Sequence, residues 1–399
     1  MLTNRQLFFL HLGQTSTEPL MLEITSAEGV FMYGPSGEKY LDLISGVSVS
    51  NTGHRHPCVV DAVKRQTDAY LHLMVYGEMI QSPQVKYAEL IASLLPETLN
   101  KCYFVNSGSE AVEGALKLAK RFTKKSRIIY FRNAYHGSTH GALSVQGSEK
   151  YRNAFRPLLP DTIQIEFNDF QALDAIETST ACVIVEPVQS EAGVIYPAEG
   201  FLEEIRQRCK EKGALLIFDE VQTGFGRTGS MFALDRFAVV PDILVLAKAL
   251  GGGMPLGAFI SSEDIMSSLI AQPELGHITT FGGHPVCCAA GMASLNVILE
   301  EKLAEKCKAK SELFRNNLDH QLIKDIRGEG LLLAVQLSDR EYIRYVIKNA
   351  PRYGIILDYF LFCDDAFRIA PPLTISNDEI KMACRQLKLL LDDAMKKRG

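Results

Sequence analysis

No apolar stretch in the 399 residues reaches the length of about 18 that a membrane-spanning helix needs, so no span is expected. The start is equally bare: Leu7-Phe8-Phe9-Leu10 is too short for a secretory signal core and lacks a cationic lead. There is no basic stripe. The 42 Lys and Arg are interspersed with 47 Asp and Glu for a net charge of −5, which argues against a nucleic-acid partner. Low-complexity segments, internal repeats and Pro/Ser-rich linkers are missing, and so is any Cys-x-x-Cys pair. The nine cysteines are scattered, odd in number and several lie in apolar settings, which points to reduced thiols in a cytoplasm. Cys287-Cys288 sits in a small-residue helix and is assigned no metal or redox role. What remains is ordinary globular composition, 47% hydrophobic and 22% charged, with length for two or three domains and a core that needs no staples.

From Lys101 to about Ile260 strands and helices alternate. Short apolar runs bounded by turn residues predict strands at Arg127–Phe131, Thr162–Ile165, Ala181–Glu186, Ala214–Asp219, Ile243–Ala247 and Gly257–Ser261. Apolar residues at helical spacing predict helices at Ser109–Lys124, Phe201–Lys212 and Val286–Glu300. That alternation means an α/β sheet, mostly parallel. The ends differ. Gly29–Asp42 predicts a hairpin turning at Pro35-Ser36-Gly37, and Ser376-x-x-Glu379 has the capping-box pattern for a last helix from Asn377 to about Lys396.

Two charged residues stand out against this frame. Asp219 ends one apolar run and Lys248 ends another, 29 positions later, so both are expected on the carboxyl rim of one sheet, where such sheets bind ligands. Taken singly, a lysine there is usually solvated and an aspartate usually a turn former or cap. As a pair they suit pyridoxal phosphate (PLP): the amine forms a Schiff base with the aldehyde, and the carboxylate keeps the pyridine nitrogen protonated. Asn106-Ser107-Gly108-Ser109-Glu110 opens a helix whose C-terminal end is crowded with Lys120, Arg121, Lys124 and Lys125. Its N-terminal amides are left free for an anion such as the cofactor phosphate, or simply capped by Ser109.

The stretches Asn106–Lys120, Tyr135–Gly137, Glu186–Gly193, Phe218–Gly229, Pro241–Ala258, Thr279–Pro285 and Arg368–Leu373 resemble the class III (omega-amino acid) aminotransferases of PLP fold type I, the group that acts on acetylornithine, ornithine and 4-aminobutyrate. The likeness runs from about Gly29 to the last helix without large gaps. It implies a large PLP domain over residues 53–300, with a mostly parallel central sheet flanked by helices. It also implies a small α+β domain built from both ends, residues 1–52 and 301–399.

The resemblance also distributes roles. Ser107, Gly108 and Ser109 would hold the phosphate, and Thr280, in Thr279-Thr280-Phe281-Gly282-Gly283, would reach the phosphate of a neighbouring subunit, which implies a homodimer with shared sites. Tyr135 would stack on one face of the pyridine and Val221 pack on the other, with Gln222 at the ring hydroxyl. His136 and Glu186 would sit beside the cofactor, His136 not as a base. Asp219 would serve the ring nitrogen, and Lys248 would hold PLP and then move the proton at the substrate carbon. Arg368 would bind a substrate carboxylate bidentately, and Glu191 would cover it when an amine without a nearby carboxylate binds. One departure bears on the donor. Many relatives have arginine directly after the aromatic-His-Gly triplet; here it is Ser138, so a second carboxylate clamp is missing unless Arg55, Arg132 or Arg152 substitutes. Tyr76, Gly46 and Val47 fall where the family builds its substrate entrance. The expectation is an aminotransferase moving an amino group from an omega-amine, amino acid or diamine to an oxo acid such as 2-oxoglutarate. An aminomutase, racemase or decarboxylase would use nearly the same cofactor site, and a non-catalytic PLP-binding module fits poorly. No metal site is expected; His54-Arg55-His56 resembles a structural stretch of the family.

Overall fold

The computed structural model describes residues 2–398. Its strands run in chain order β1 (Ser26–Glu28), β2 (Phe31–Tyr33), β3 (Lys39–Asp42), β4 (Lys101–Val105), β5 (Arg127–Phe131), β6 (Thr162–Ile165), β7 (Thr180–Val185) and β8 (Leu215–Asp219). They continue with β9 (Ile243–Leu246), β10 (Gly257–Ser261), β11 (Ile323–Glu329), β12 (Leu332–Leu337), β13 (Ile355–Ile356), β14 (Asp358–Tyr359) and β15 (Ala366–Ile369). The central sheet has seven strands in the order β4-β10-β9-β8-β7-β5-β6. β6, β5, β7, β8 and β9 pair in parallel, while β10 runs against both β9 and β4. β4 therefore points the same way as β9, and all but one of the seven strands share a direction.

The middle of this sheet is dry because its sequence is apolar on both faces. Every residue of β7, β8, β9 and β10 is buried. Helix Gly108–Thr123 lies on one face with Ala111, Val112, Ala115, Leu116, Leu118 and Ala119 turned inward. Burying side chains of this size stabilises by about 1.5–3 kcal/mol for each large one. Helices Phe201–Lys212 and Pro285–Glu300 stand close to the predicted spans.

The hairpin forms from β2 and β3, with the turn at Pro35-Ser36-Gly37. β3 then pairs in parallel with β13, Leu41 opposite Ile355, so the first and last parts of the chain complete one four-stranded sheet. A second sheet, β11-β12-β15-β14, carries Arg368 in β15 opposite Asp358 in β14. The final helix, Asn377–Arg398, opens on the reciprocal cap: the Ser376 amide donates to Glu379 Oε2 at 2.7 Å and the Glu379 amide donates to Ser376 Oγ at 3.3 Å. No described helix is long and apolar enough to cross a membrane.

Candidate active site

Strand direction decides what meets at the rim. The carboxyl ends of β4, β5, β7, β8 and β9 lead into Asn106-Ser107-Gly108, Tyr135-His136, Glu186, Asp219 and Lys248. Together they line one cavity of about 680 Å³ with Glu191, Val221 and Gln222. β10 is antiparallel and contributes its approach, Met254-Pro255-Leu256, to the wall. Asp219 lies opposite Val245 in the β8–β9 pairing, three residues before Lys248, so the two charged groups reach the same place from adjacent strands.

One end of the cavity is the N-terminus of helix Gly108–Thr123. The Glu110 amide donates to Ser107 Oγ at 3.2 Å, so Ser107, not Ser109, is the cap. Ser109 Oγ instead pairs with Thr139 Oγ1 at 2.7 Å. First-turn amides such as those of Gly108 and Ser109 have no intrahelical acceptor, and the helix dipole makes this end a seat for an anion. Gly108 allows a close approach that no side chain would: a Cβ there would stand 3.1 Å from Val221 Cγ1 and 3.3 Å from Ala247 Cβ.

Toward the centre of the rim lies Asp219, which is buried and fully engaged. His136 Nδ1 donates to its Oδ2 at 2.7 Å, and the Val221 amide donates to Oδ1 at 3.0 Å. A carboxylate can only accept, so His136 carries its proton on Nδ1; its Nε2 is buried without a partner. Lys248 Nζ donates to Gln222 Oε1. Burial pulls the amine down to about 8, against attraction from Glu191. Burial, followed by the charge of Asp219, pushes Glu186 well above the usual carboxylate range, and its Oε2 accepts a 3.4 Å bond from the Tyr135 amide. An anion seat, a buried carboxylate with both oxygens hydrogen-bonded, a desolvated amine and the side chains of Tyr135 and Val221 form one donor set. It matches a flat, phosphorylated aldehyde cofactor.

Glu191 closes the far wall. Its Oε1 takes a bond from Arg368 Nη2 at 2.5 Å, its Oε2 takes one from the Leu361 amide at 3.0 Å, and both charged side chains are nearly sealed from solvent. Arg368 is thereby hidden from the cavity. Its other edge faces Asp358, with Nη1 3.9 Å from Oδ2, and the guanidinium stacks 4.7 Å from the centre of the Phe360 ring. Burial raises the Asp358 carboxyl.

The remaining sequence candidates lie elsewhere. Thr280 is exposed and does not line this cavity. None of the three substitute arginines reaches it: Arg55 is exposed, Arg132 pairs with Glu166 at 2.6 Å, and Arg152 is buried against Tyr130 and the Gln146 carbonyl. From the stretch holding Gly46 and Val47 the wall takes Val49 instead, and Tyr76 does not contribute. His54 Nε2 pairs with Asp42 at 2.8 Å and stays apart from the site. Among the described residues no group of three or more His, Cys, Asp or Glu could hold a metal ion. Sequence reasoning missed the His136–Asp219 bond, Asp358, and Ser48, whose hydroxyl accepts from Gln222 Nε2 at 3.3 Å. These partners are 83 and 174 residues apart for the two hydrogen bonds, with no local pattern to mark them.

Residues 12–391 match the family model for class-III aminotransferases. The acetylornithine aminotransferase of Methanopyrus kandleri is 41% identical over 382 residues, 94% of this chain and 95% of its own length. That of Methanothermobacter thermautotrophicus is 37% identical, over 95% of this chain and 96% of its own length. Among solved structures, the ornithine aminotransferase of Toxoplasma gondii, in which PLP partly occupies the active site, superposes with a TM-score of 0.90 at 30% identity. That match covers 98% of this chain and 94% of the other. A transaminase from the marine bacterium Virgibacillus reaches 0.92 at 27% identity, covering 98% and 99%.

Proposed function

The chain belongs to the class-III aminotransferases and is a PLP-dependent aminotransferase of fold type I, and from that premise we propose which side chains carry the transfer and which donors they admit. When bound, the cofactor supplies an aldehyde that carries the amino group and a ring that withdraws electrons from the carbon losing its proton. Lys248 is the residue that holds it. With its amine down at about 8, a useful share is unprotonated near neutrality, so it acts as a nucleophile and then carries the proton at the substrate carbon. Asp219 is the carboxylate for the ring nitrogen, aimed by His136. Ser107, Gly108 and Ser109 take the phosphate, Tyr135 and Val221 take the ring faces, and Gln222 takes the ring hydroxyl. Glu186 lines the same wall.

Glu191 and Arg368 form the substrate gate. The observation that carries the donor assignment is their closed pair at 2.5 Å, together with the absence of any arginine from the cavity lining among the described residues. A donor entering this state meets no cation suited to a carboxylate near the reacting carbon. The donor is therefore an omega-amine of the acetylornithine, ornithine, 4-aminobutyrate or diamine type. Ser138 shifts the balance within that set toward donors whose far end is not clamped as a carboxylate. When Glu191 moves aside, Arg368 receives the carboxylate of an oxo acid, 2-oxoglutarate being the acceptor that matches a bidentate guanidinium.

The active unit is a homodimer in the cytoplasm, with Thr280 serving the neighbour's site. Support for the dimer comes from an exposed apolar band, Leu71, Met74 and Ile80 with Ile278 and Phe281, on the face that holds Thr280. The contact of His72 with Phe281, ring centres 4.8 Å apart, joins the two stretches of that band. Nine free cysteines fit the compartment. The partition into residues 53–300 and a smaller domain from both ends is supported by the β3–β13 pairing.

A half-reaction screen tests the donor. Single amines (N-acetylornithine, ornithine, 4-aminobutyrate, β-alanine, putrescine and lysine) are added to the cofactor-loaded protein, and the loss of its yellow band is followed. Fast bleaching by an omega-amine, reversed by 2-oxoglutarate, is the expected result. Bleaching by none of these amines, with the cofactor bound, would overturn the donor assignment.

A further inference from the structure

After β3 the chain makes a turn that is left-handed at four consecutive residues. φ is 45° at Ser45, 61° at Gly46, 64° at Val47 and 63° at Ser48. Only one of the four is glycine. Each of the others costs about 1–2 kcal/mol, and β-branched Val47 is the most strained. Such a turn persists only where its surroundings over-determine it. Here Asp42 Oδ1 accepts from the amides of Ile44 at 2.9 Å and Ser45 at 2.7 Å. Ser45 Oγ donates to the Ala370 carbonyl at 2.7 Å and accepts from Arg227 Nη2 at 3.1 Å. The outcome of the turn is a buried Ser48, whose hydroxyl takes the Gln222 Nε2 proton. The other end of that amide, Oε1, accepts from Lys248 Nζ. With its nitrogen committed to Ser48, Gln222 can offer Lys248 only its oxygen.

We propose that Ser48 is a positioning residue for Lys248: the left-handed turn holds its hydroxyl where it fixes the Gln222 amide, oxygen toward Nζ. This rests on Lys248 as the lysine that holds the cofactor. Remove the hydroxyl and the amide is free to rotate, bringing its NH₂ donors against Nζ, which in its charged form can only donate. Besides Gln222, the charged groups acting on Nζ are the carboxylates of Glu191, Asp219 and Glu186 and the guanidinium of Arg368. None belongs to the Ser45–Ser48 turn, so a change at Ser48 reaches Nζ through Gln222.

Ser48→Ala and Ser48→Gly separate the hydroxyl from the strain. In the full-length chain freed of cofactor, the Lys248 pKa is read from the pH dependence of its labelling by a small amine-selective reagent, quantified on the Lys248 peptide. Both variants are expected to drop that pKa by about 0.5–1 unit, the size of a lost hydrogen bond to the charged form. Glycine alone should raise the urea midpoint, because it relieves the left-handed strain. A Lys248 pKa equal to the parent's in both variants overturns the proposal. Borohydride trapping of the cofactor on a lysine other than Lys248 overturns the functional reading beneath it, and that result is distinguishable because the labelling profile does not depend on the cofactor.

Discussion

Consider Glu191→Ala. In the closed gate the carboxylate gives up a charge-assisted bond to Arg368 and a bond to the Leu361 amide when it leaves. The first is worth about 1.5–3 kcal/mol and the second about 1 kcal/mol. Arg368 does not become bare, since Asp358 at 3.9 Å and the Phe360 ring at 4.7 Å remain and offset about 1 kcal/mol of that loss. The closed state is then favoured by about 2 kcal/mol, roughly 30-fold. An oxo acid must overcome that factor before its carboxylate reaches the guanidinium, and the alanine variant removes it. The KM for 2-oxoglutarate in the second half-reaction should fall by roughly 30-fold. Over the same comparison, bleaching by the omega-amine should slow, because an uncovered Arg368 repels a cationic donor. Stopped-flow measurement of the two half-reactions separately gives both numbers. An oxo-acid KM within about threefold of the parent would refute the gate and the energies assigned to it.

Two further outcomes follow from the same geometry. Gly108→Ala places a methyl group 3.1 Å from Val221 at the helix N-terminus; the affinity for PLP should fall about tenfold in a fluorescence titration, and an unchanged affinity would remove Gly108 from the anion seat. Glu220, beside Asp219 but pointing away to cap helix Ala233–Phe237 through the Ala233 and Leu234 amides, is raised from 4.5 to about 7 by burial. A folded-state pKa above the unfolded one contributes stability that is complete below pH 4.5 and lost as pH rises through 7. The urea midpoint should therefore decline over that window, and Glu220→Gln should flatten the decline; an equal slope in the variant would show that another group titrates.

Much of this was legible from local pattern, and the limits are physical. β5 and β10 match their predicted spans because a strand buried on both faces is built mostly of apolar residues, and the turn residues at its ends mark where burial stops; β6, a partly exposed edge strand, also matches its span. Asp219 and Lys248 were visible for the same reason, as charges ending apolar runs. The start of the helix after β4 was legible but its cap was not: Ser107 and Ser109 are equally plausible by composition, yet Ser107 caps the helix and Ser109 pairs with Thr139. The sequence left Arg152 open, with Arg55 and Arg132, as a stand-in clamp, but its guanidinium is engaged inside the core by the Tyr130 hydroxyl and the Gln146 carbonyl, with Glu149 3.6 Å away. His136–Asp219, Ser48–Gln222 and Asp358–Arg368 are tertiary meetings, and nothing within a few residues of either partner announces them.

The clamp on the left-handed turn has a temporal meaning. Arg227 is completely buried and binds Ser45, Asn51, the Leu331 carbonyl and the Pro371 carbonyl, while Ser45 reaches an acceptor 325 residues further along. On a ribosome, the residues around Ser48 are made early and wait for nearly the whole chain before Ile355–Ile356 and Ala370 emerge to seat them. The amide facing Lys248 is thus set by the last parts of the polypeptide to arrive. A chain interrupted before β13 would carry both Asp219 and Lys248 yet lack the strand that seats the turn, so tight cofactor uptake marks a finished molecule.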